Sequence, residues 1–272
     1  IVIICFLWLF SGDYKAKYNQ IMSSKLMIAS IVFYCLHVIG MLWTEDLMWG
    51  FHILHKMWYF LLLFPILFNI VQRKYITYYV SAFLLAIALT EIVSYLVWFE
   101  IITSFKHATV ANPTPFMSHI SYNPILSFAI YLVLHEIFFN KKLTNLVFSF
   151  YSFFAISMTI NMFITGGRAG QVGFFVILSI LIIQIFDKQR IKSLLVIFIM
   201  IPSIFITAYL TSDLFQERVN SGIKEISEPM IDSKHLTSVG LRIHFAKNSF
   251  TVVKQNPIIG IGTGDFTSEY KK

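Results

Sequence analysis

Eight apolar blocks in succession, followed by a polar stretch of about sixty residues, leave this chain few folds to choose from. The blocks run near 1–10, 26–43, 54–71, 75–99, 118–139, 143–164, 170–186 and 193–211. Crossing a hydrocarbon layer roughly 30 Å thick takes about 20 helical residues, and all but the first block approach that length. The first lacks a preceding Met and reads as a truncated span, and the C-terminal end reads as truncated too. Inside lipid every backbone N–H and C=O must be bonded within the protein, which leaves helices or a closed barrel. A barrel strand alternates apolar and polar residues, whereas Leu61-Leu62-Leu63-Phe64 is apolar on every side. The expected fold is therefore all-α: a polytopic transmembrane helix bundle over 1–211, then a loop segment over 212–272.

Composition agrees. Charged residues make up 13 % of the chain and the mean hydropathy is +0.72, whereas soluble domains carry about 25 % charged residues. The net charge of +7 invites a nucleic-acid reading, which its distribution opposes. Alternate short loops hold Lys15, Lys17, Lys25, Arg73, Lys74, Lys141, Lys142, Lys188, Arg190 and Lys192, ten in all; the opposite loops hold Lys56, Lys106 and Arg168. Such alternation is the positive-inside pattern, and it puts the loops after Trp43, Phe99 and Ile164, together with 212–272, on the outer face. The partner implied is the lipid bilayer and not a nucleic acid.

The unusual residues gather in three outer connections. The segment 44–56 carries Glu45, Asp46, His52 and His55; the segment 100–117 carries Asn112-Pro113-Thr114-Pro115, which forbids a regular helix. In the third, 213–232 is mixed in charge and reads as a surface loop or short helix, and a helix is expected over 238–255 until Pro257 stops it. At 100° per residue from Leu241, Val252, Phe245, Val253, Ala246, Phe250 and Ile243 fall between about 20° and 200°. Lys254, Lys247, Thr251, His244, Gln255 and Asn248 occupy about 220° to 340° on the same wheel. An amphipathic helix of this kind rests on the bundle or in the outer headgroup layer.

Several residues are candidates for chemistry. Arg168 follows Thr165-Gly166-Gly167 at the outer start of a span, where free N–H groups, the helix dipole and a guanidinium together suit a phosphate. The alternative is an arginine reaching for the interface. Arg242 sits near 100° on the wheel, amid the apolar arc, a costly place unless an anion or a carboxylate such as Glu91 meets it. His119 opens its span at the depth of Arg168 and can act as acid, base or donor; His244 lies on the polar arc. Glu91, in the outer half of its span, is either functional or a neutral carboxyl bonded to a neighbouring helix. The turn Asn256-Pro257-Ile258-Ile259-Gly260-Ile261-Gly262-Thr263-Gly264-Asp265-Phe266 can bring backbone N–H groups at Gly260 and Gly262 close to a ligand. His52 and His55 lack a third metal ligand, no nucleophile or nucleotide motif occurs, and no metal or cofactor is expected.

Thr165-Gly-Gly-Arg168-Ala-Gly, Ser238-Val-Gly-Leu-Arg242 and Asn256-Pro-Ile-Ile-Gly260-Ile-Gly262-Thr-Gly264-Asp-Phe266, in that order, resemble the bacterial O-antigen ligase / O-antigen polymerase superfamily, as does Phe116-Met-Ser-His119-Ile-Ser. The resemblance covers roughly 115–266. It implies an inner-membrane glycosyltransferase that takes a glycan from an undecaprenyl-diphosphate carrier at the periplasmic face. A ligase hands it to lipid A–core or a protein, and a polymerase to another carrier-linked repeat. The resemblance further implies metal-independent displacement at the anomeric carbon, with Arg168 and Arg242 on the diphosphate. The family's usual base, a histidine in a His-Asn motif after the Gly-rich turn, is expected beyond the last residue here. A transporter using Glu91 and the outer histidines as a relay is the non-enzymatic alternative.

Overall fold

The structure is a computed structural model and describes residues 2–103, 105–106, 108–110, 112–114, 116–227 and 238–271. Pro115 and the 228–232 part of the mixed-charge segment lie outside the described residues. Thirteen α-helices are described and no strand, only an isolated bridge between Thr109 and Asn112. They are α1 (Val2–Phe10), α2 (Tyr14–Ser23), α3 (Lys25–Gly40), α4 (Leu47–Leu61), α5 (Leu63–Ile70), α6 (Ile76–Trp98), α7 (His119–Phe139), α8 (Asn145–Ile164), α9 (Arg168–Ile185), α10 (Arg190–Thr211), α11 (Asp213–Ser227), α12 (Ser238–Gln255) and α13 (Phe266–Lys271).

Among the described residues, seven spans are long and apolar enough to cross a membrane: Lys25–Trp43, Leu47–Ile70, Arg73–Trp98, His119–Phe139, Asn145–Ile164, Arg168–Ile185 and Arg190–Thr211. The chain is an all-α polytopic bundle, as its hydropathy requires. One boundary differs from expectation. α4 begins at Leu47, because the Asp46 side chain accepts the Trp49 N–H at 2.9 Å and caps the helix. His52 and His55 therefore stand on a helix and not in a loop. The same span breaks at Leu62, three residues before Pro65, which has no N–H to give the preceding turn.

The chain divides into two compact units, one formed by 1–78 with 230–272 and the other by 79–229. This division cuts across the bundle-and-loop boundary read at residue 211, and the reasons are local. α11 stays with its bundle: Ser212 donates to the Phe163 carbonyl at 2.8 Å and accepts the Phe215 N–H at 3.2 Å, so α10 turns directly into α11. Phe215, 3 % exposed, then packs edge-on against Phe163 at 5.0 Å and Phe205 at 5.3 Å. The segment after α12 goes instead with the N-terminal helices, through contacts described below.

Within 79–229 the core lies between α7, α8 and α9, around Tyr122, Leu126, Ile130, Met158, Met162 and Leu178. Lipid gives no hydrophobic incentive for helices to associate, so close packing and interhelical hydrogen bonds must hold them. α7 and α9 meet through glycine: a Cβ on Gly170 would overlap Asn123 and stand 2.6 Å from the Pro124 nitrogen. Polar bonds tie α6 to α8. Ser157 donates to Glu91 at 2.6 Å, Tyr95 to the Ser157 carbonyl at 2.8 Å, and Asn161 to Ser94 at 3.0 Å.

Gly170→Ala is expected to lower the thermal unfolding midpoint, since overpacking costs about 1–3 kcal/mol where backbone is the obstacle. Gly222→Ala, on α11 with open space around it, is expected to hold or raise that midpoint by removing a helical glycine. An equal response of both variants would contradict the tight α7–α9 crossing.

Candidate functional site

The turn between α8 and α9 is held from below by buried amides. Asn123, fully buried on α7, accepts from the Thr165 hydroxyl at 2.6 Å and donates to the carbonyls of Met162 at 3.3 Å and Gly167 at 3.4 Å. Gln171 donates to the Thr165 carbonyl at 3.1 Å and to that of Met162 at 3.3 Å. The connection between α6 and α7 adds a third amide: Asn112 accepts the Gly166 N–H at 3.0 Å. Gly167 must be small, because a Cβ there would stand 2.5 Å from the His119 carbonyl oxygen and 2.6 Å from Asn123 Nδ2. These bonds fix the direction in which α9 starts, and Arg168, half-buried, is its first residue.

Arg218 on α11 reaches the same turn. Its Nη2 lies 3.4 Å from where a Cβ on Gly166 would stand, and its charge acts on His119. Beside it lies an apolar groove of about 860 Å³ lined chiefly by α8 and α10, with Trp98, Ile160, Phe163, Ile204, Ala208 and Leu214 among its walls. Leu214 and Arg218 are four residues apart on one helix, hence on one face. Val110 lines the groove two residues before Asn112, so the groove and the turn share a rim.

In the unit formed by 1–78 and 230–272, the glycine-spaced turn docks on the turn between α3 and α4. The Asp265 carboxylate, 6 % exposed, accepts the N–H groups of Glu45 and Asp46, each at 2.9 Å. Thr263 donates to the His37 carbonyl at 2.7 Å, and the Gly264 N–H reaches the Thr44 hydroxyl at 3.4 Å. A Cβ on Gly262 would stand 2.5 Å from Thr44 Cα, and one on Gly264 2.7 Å from the Gly50 nitrogen. α12 leaves Ile243, Phe245, Phe250 and Val253 exposed and buries Val252. His244 shares a 2.7 Å hydrogen bond with the Tyr270 hydroxyl on α13.

Residues 153–272 match the family model described as O-antigen ligase. An uncharacterized protein of Haemophilus influenzae is 28 % identical over 161 residues, a match covering 57 % of this chain and 39 % of that relative. The chain thus spans about two fifths of the length of the curated relative it matches. No solved structure matches it. The chain is thus similar to the O-antigen ligase family over somewhat less than half of its length. The seven helices long and apolar enough to cross a membrane, among the described residues, and this similarity both fit a multi-pass membrane protein.

The matched segment contains both expected arginines, in different units: Arg168 in 79–229 and Arg242, exposed, in the other. Because the apolar arc around Arg242 is itself open, the protein interior imposes no burial cost on that guanidinium. His119 stands at the Gly167 turn with Arg168. Glu91 does not; it is buried between α6 and α8 with Ser157 as its partner, the bonded-carboxyl alternative. Gly262 packs against protein backbone where a ligand was expected, and Gly260, at φ +74°, has open space around it. Asn123, Gln171 and Arg218 escaped the sequence reading. Asn123 carried a signal, an amide beside Pro124 in an apolar span; Arg218, in a mixed-charge stretch, carried none.

Asp265→Ala removes a carboxylate that holds two backbone N–H groups, each such charge-assisted bond contributing about 1.5–3 kcal/mol. The expected result is a lower unfolding midpoint and faster proteolysis near 44–50 in the purified protein, with Asp265→Asn intermediate.

Proposed function

We propose that this protein is a membrane glycosyltransferase of the ligase type, moving a glycan from an undecaprenyl-diphosphate carrier to lipid A–core or another glycan acceptor at the periplasmic face of the inner membrane. The observation that carries the reading is the 165–168 turn: a rigid helix start, opened by an arginine, on the rim of an apolar groove. The α9 N-terminus and Arg168 would receive the carrier's diphosphate, and the groove would take its polyprenyl chain. The groove walls are mainly hydrocarbon and aromatic, which suits an isoprenoid.

The reaction this site would serve is displacement at the anomeric carbon. An acceptor hydroxyl oxygen attacks that carbon, the bond to the carrier's diphosphate oxygen breaks, and the diphosphate leaves with the electron pair while the hydroxyl proton passes to a base. Negative charge on the departing oxygen grows as the bond breaks, so a guanidinium placed there lowers the barrier. His119 would supply a donor beside Arg168; in the other unit Arg242 remains a candidate for the diphosphate, and His244 and the N–H of Gly260 for the glycan or acceptor. A polymerase handles the same donor and differs in its acceptor.

Arg168→Ala and Arg242→Ala in the intact enzyme are each expected to lower glycan transfer at least a hundredfold without altering membrane insertion, measured in vesicles with a carrier-linked glycan. Wild-type transfer by both would refute the reading. In a deletion strain, a ligase leaves carrier-linked polymer to accumulate, whereas loss of a polymerase leaves single repeats on lipopolysaccharide.

A further inference from the structure

Arg218 stands out among the charged residues that the proposed reaction does not yet use. It is half-buried on α11, and its Nε lies shut from solvent with no hydrogen-bond partner in the protein. An unmet N–H of this kind costs on the order of 1–3 kcal/mol, so its presence in a folded protein calls for an explanation. The surroundings supply one. The same guanidinium sits over Gly166, two residues from Arg168, and acts electrostatically on His119. The Gly166 N–H is already taken by Asn112, so the turn itself does not satisfy Arg218. One helical turn back, Leu214 faces the apolar groove.

We infer that Arg218 is a binding residue for the carrier's diphosphate, its guanidinium swinging off Gly166 so that Nε and Nη2 meet one phosphate at the head of the groove. This rests on the reading of the 165–168 turn as the anion site. Arginine suits the task where lysine does not, because its planar fork meets two phosphate oxygens at once. With Arg168 at the start of α9 and Arg218 on α11, the two phosphates of a diphosphate each have a cation within the same unit. The site therefore discriminates a polyprenyl diphosphate from the monophosphate or the free alcohol by charge count.

The test uses farnesyl diphosphate, farnesyl monophosphate and farnesol titrated into the purified protein in nanodiscs, with thermal unfolding followed alongside. Arg218→Gln is expected to weaken farnesyl diphosphate binding at least tenfold, Arg218→Lys to weaken it about threefold to tenfold, and both to leave farnesol binding unchanged. Wild-type affinity for the diphosphate in a stably folded Arg218→Gln protein would overturn the inference. Should that variant lose its unfolding transition, Arg218→Lys decides, and wild-type affinity there rules out the side-on contact. Arg168→Ala separates the two levels. If it weakens diphosphate binding while Arg218→Gln does not, only the role of Arg218 falls; if neither does, the anion site itself is refuted.

Discussion

The close crossing of α7 and α9 is the constraint from which the candidate site follows. Two apolar helices in lipid gain little by touching, so their contact has to be made by fit and by hydrogen bonds. Glycines at 167 and 170 remove the side chains that would hold the helices apart, and Asn123 fills the space with three hydrogen bonds. Those bonds end on Thr165, Met162 and Gly167, the residues that set where α8 stops and α9 starts. A loosened crossing would leave Arg168 on a fraying helix end, and a guanidinium needs a fixed origin to be useful in catalysis. α11 depends on the same region, since Ser212 and Phe215 anchor it to Phe163, four residues before Gly167.

The other unit solves a comparable problem with a carboxylate. Asp265 caps the backbone of the α3–α4 turn, and Asp46 in that turn caps α4. The glycines at 262 and 264 serve this docking, because a side chain at either would strike Thr44 or Gly50. The turn's glycine spacing is thus explained by contact with protein. What it leaves available is Gly260, whose positive φ places it at a corner with nothing against it.

Much of this was legible in the chain itself. The spans follow from lipid's demand for satisfied backbone, and α12 follows from its periodicity and Pro257. The start of α4 was misplaced because His52, His55 and Lys56 dilute the hydropathy of its first turns; the capping carboxylate of Asp46 was the better guide. The direction of the 262–264 turn was not legible, because glycine spacing permits approach to any partner, ligand or backbone alike. Glu91 illustrates the same limit, for a carboxyl in a span looks identical on paper whether Ser157 or a substrate waits for it. Arg218 was invisible for a simpler reason. In Glu217-Arg218 on a mixed-charge helix an arginine reads as solvated, and only the fold brings it over Gly166.

A cation at the start of a helix opposes the dipole by about 0.3–1 kcal/mol, and a second guanidinium nearby adds repulsion. A monovalent anion would offset part of this. A diphosphate offsets more, since each charge-assisted bond to guanidinium contributes about 1.5–3 kcal/mol and two phosphates can each take one cation. In the proposed reaction the balance would shift further as the glycosidic bond breaks. In a bound donor one diphosphate oxygen would be tied to the sugar and carry little charge; in the departing carrier it would carry a full share. Cations held in place before the reaction gain that increment without reorganising, which is the condition for favouring the transition state over the bound substrate. The amides of Asn112, Asn123 and Gln171 have their bearing here: they spend their hydrogen bonds on the turn and so fix the point from which α9 starts.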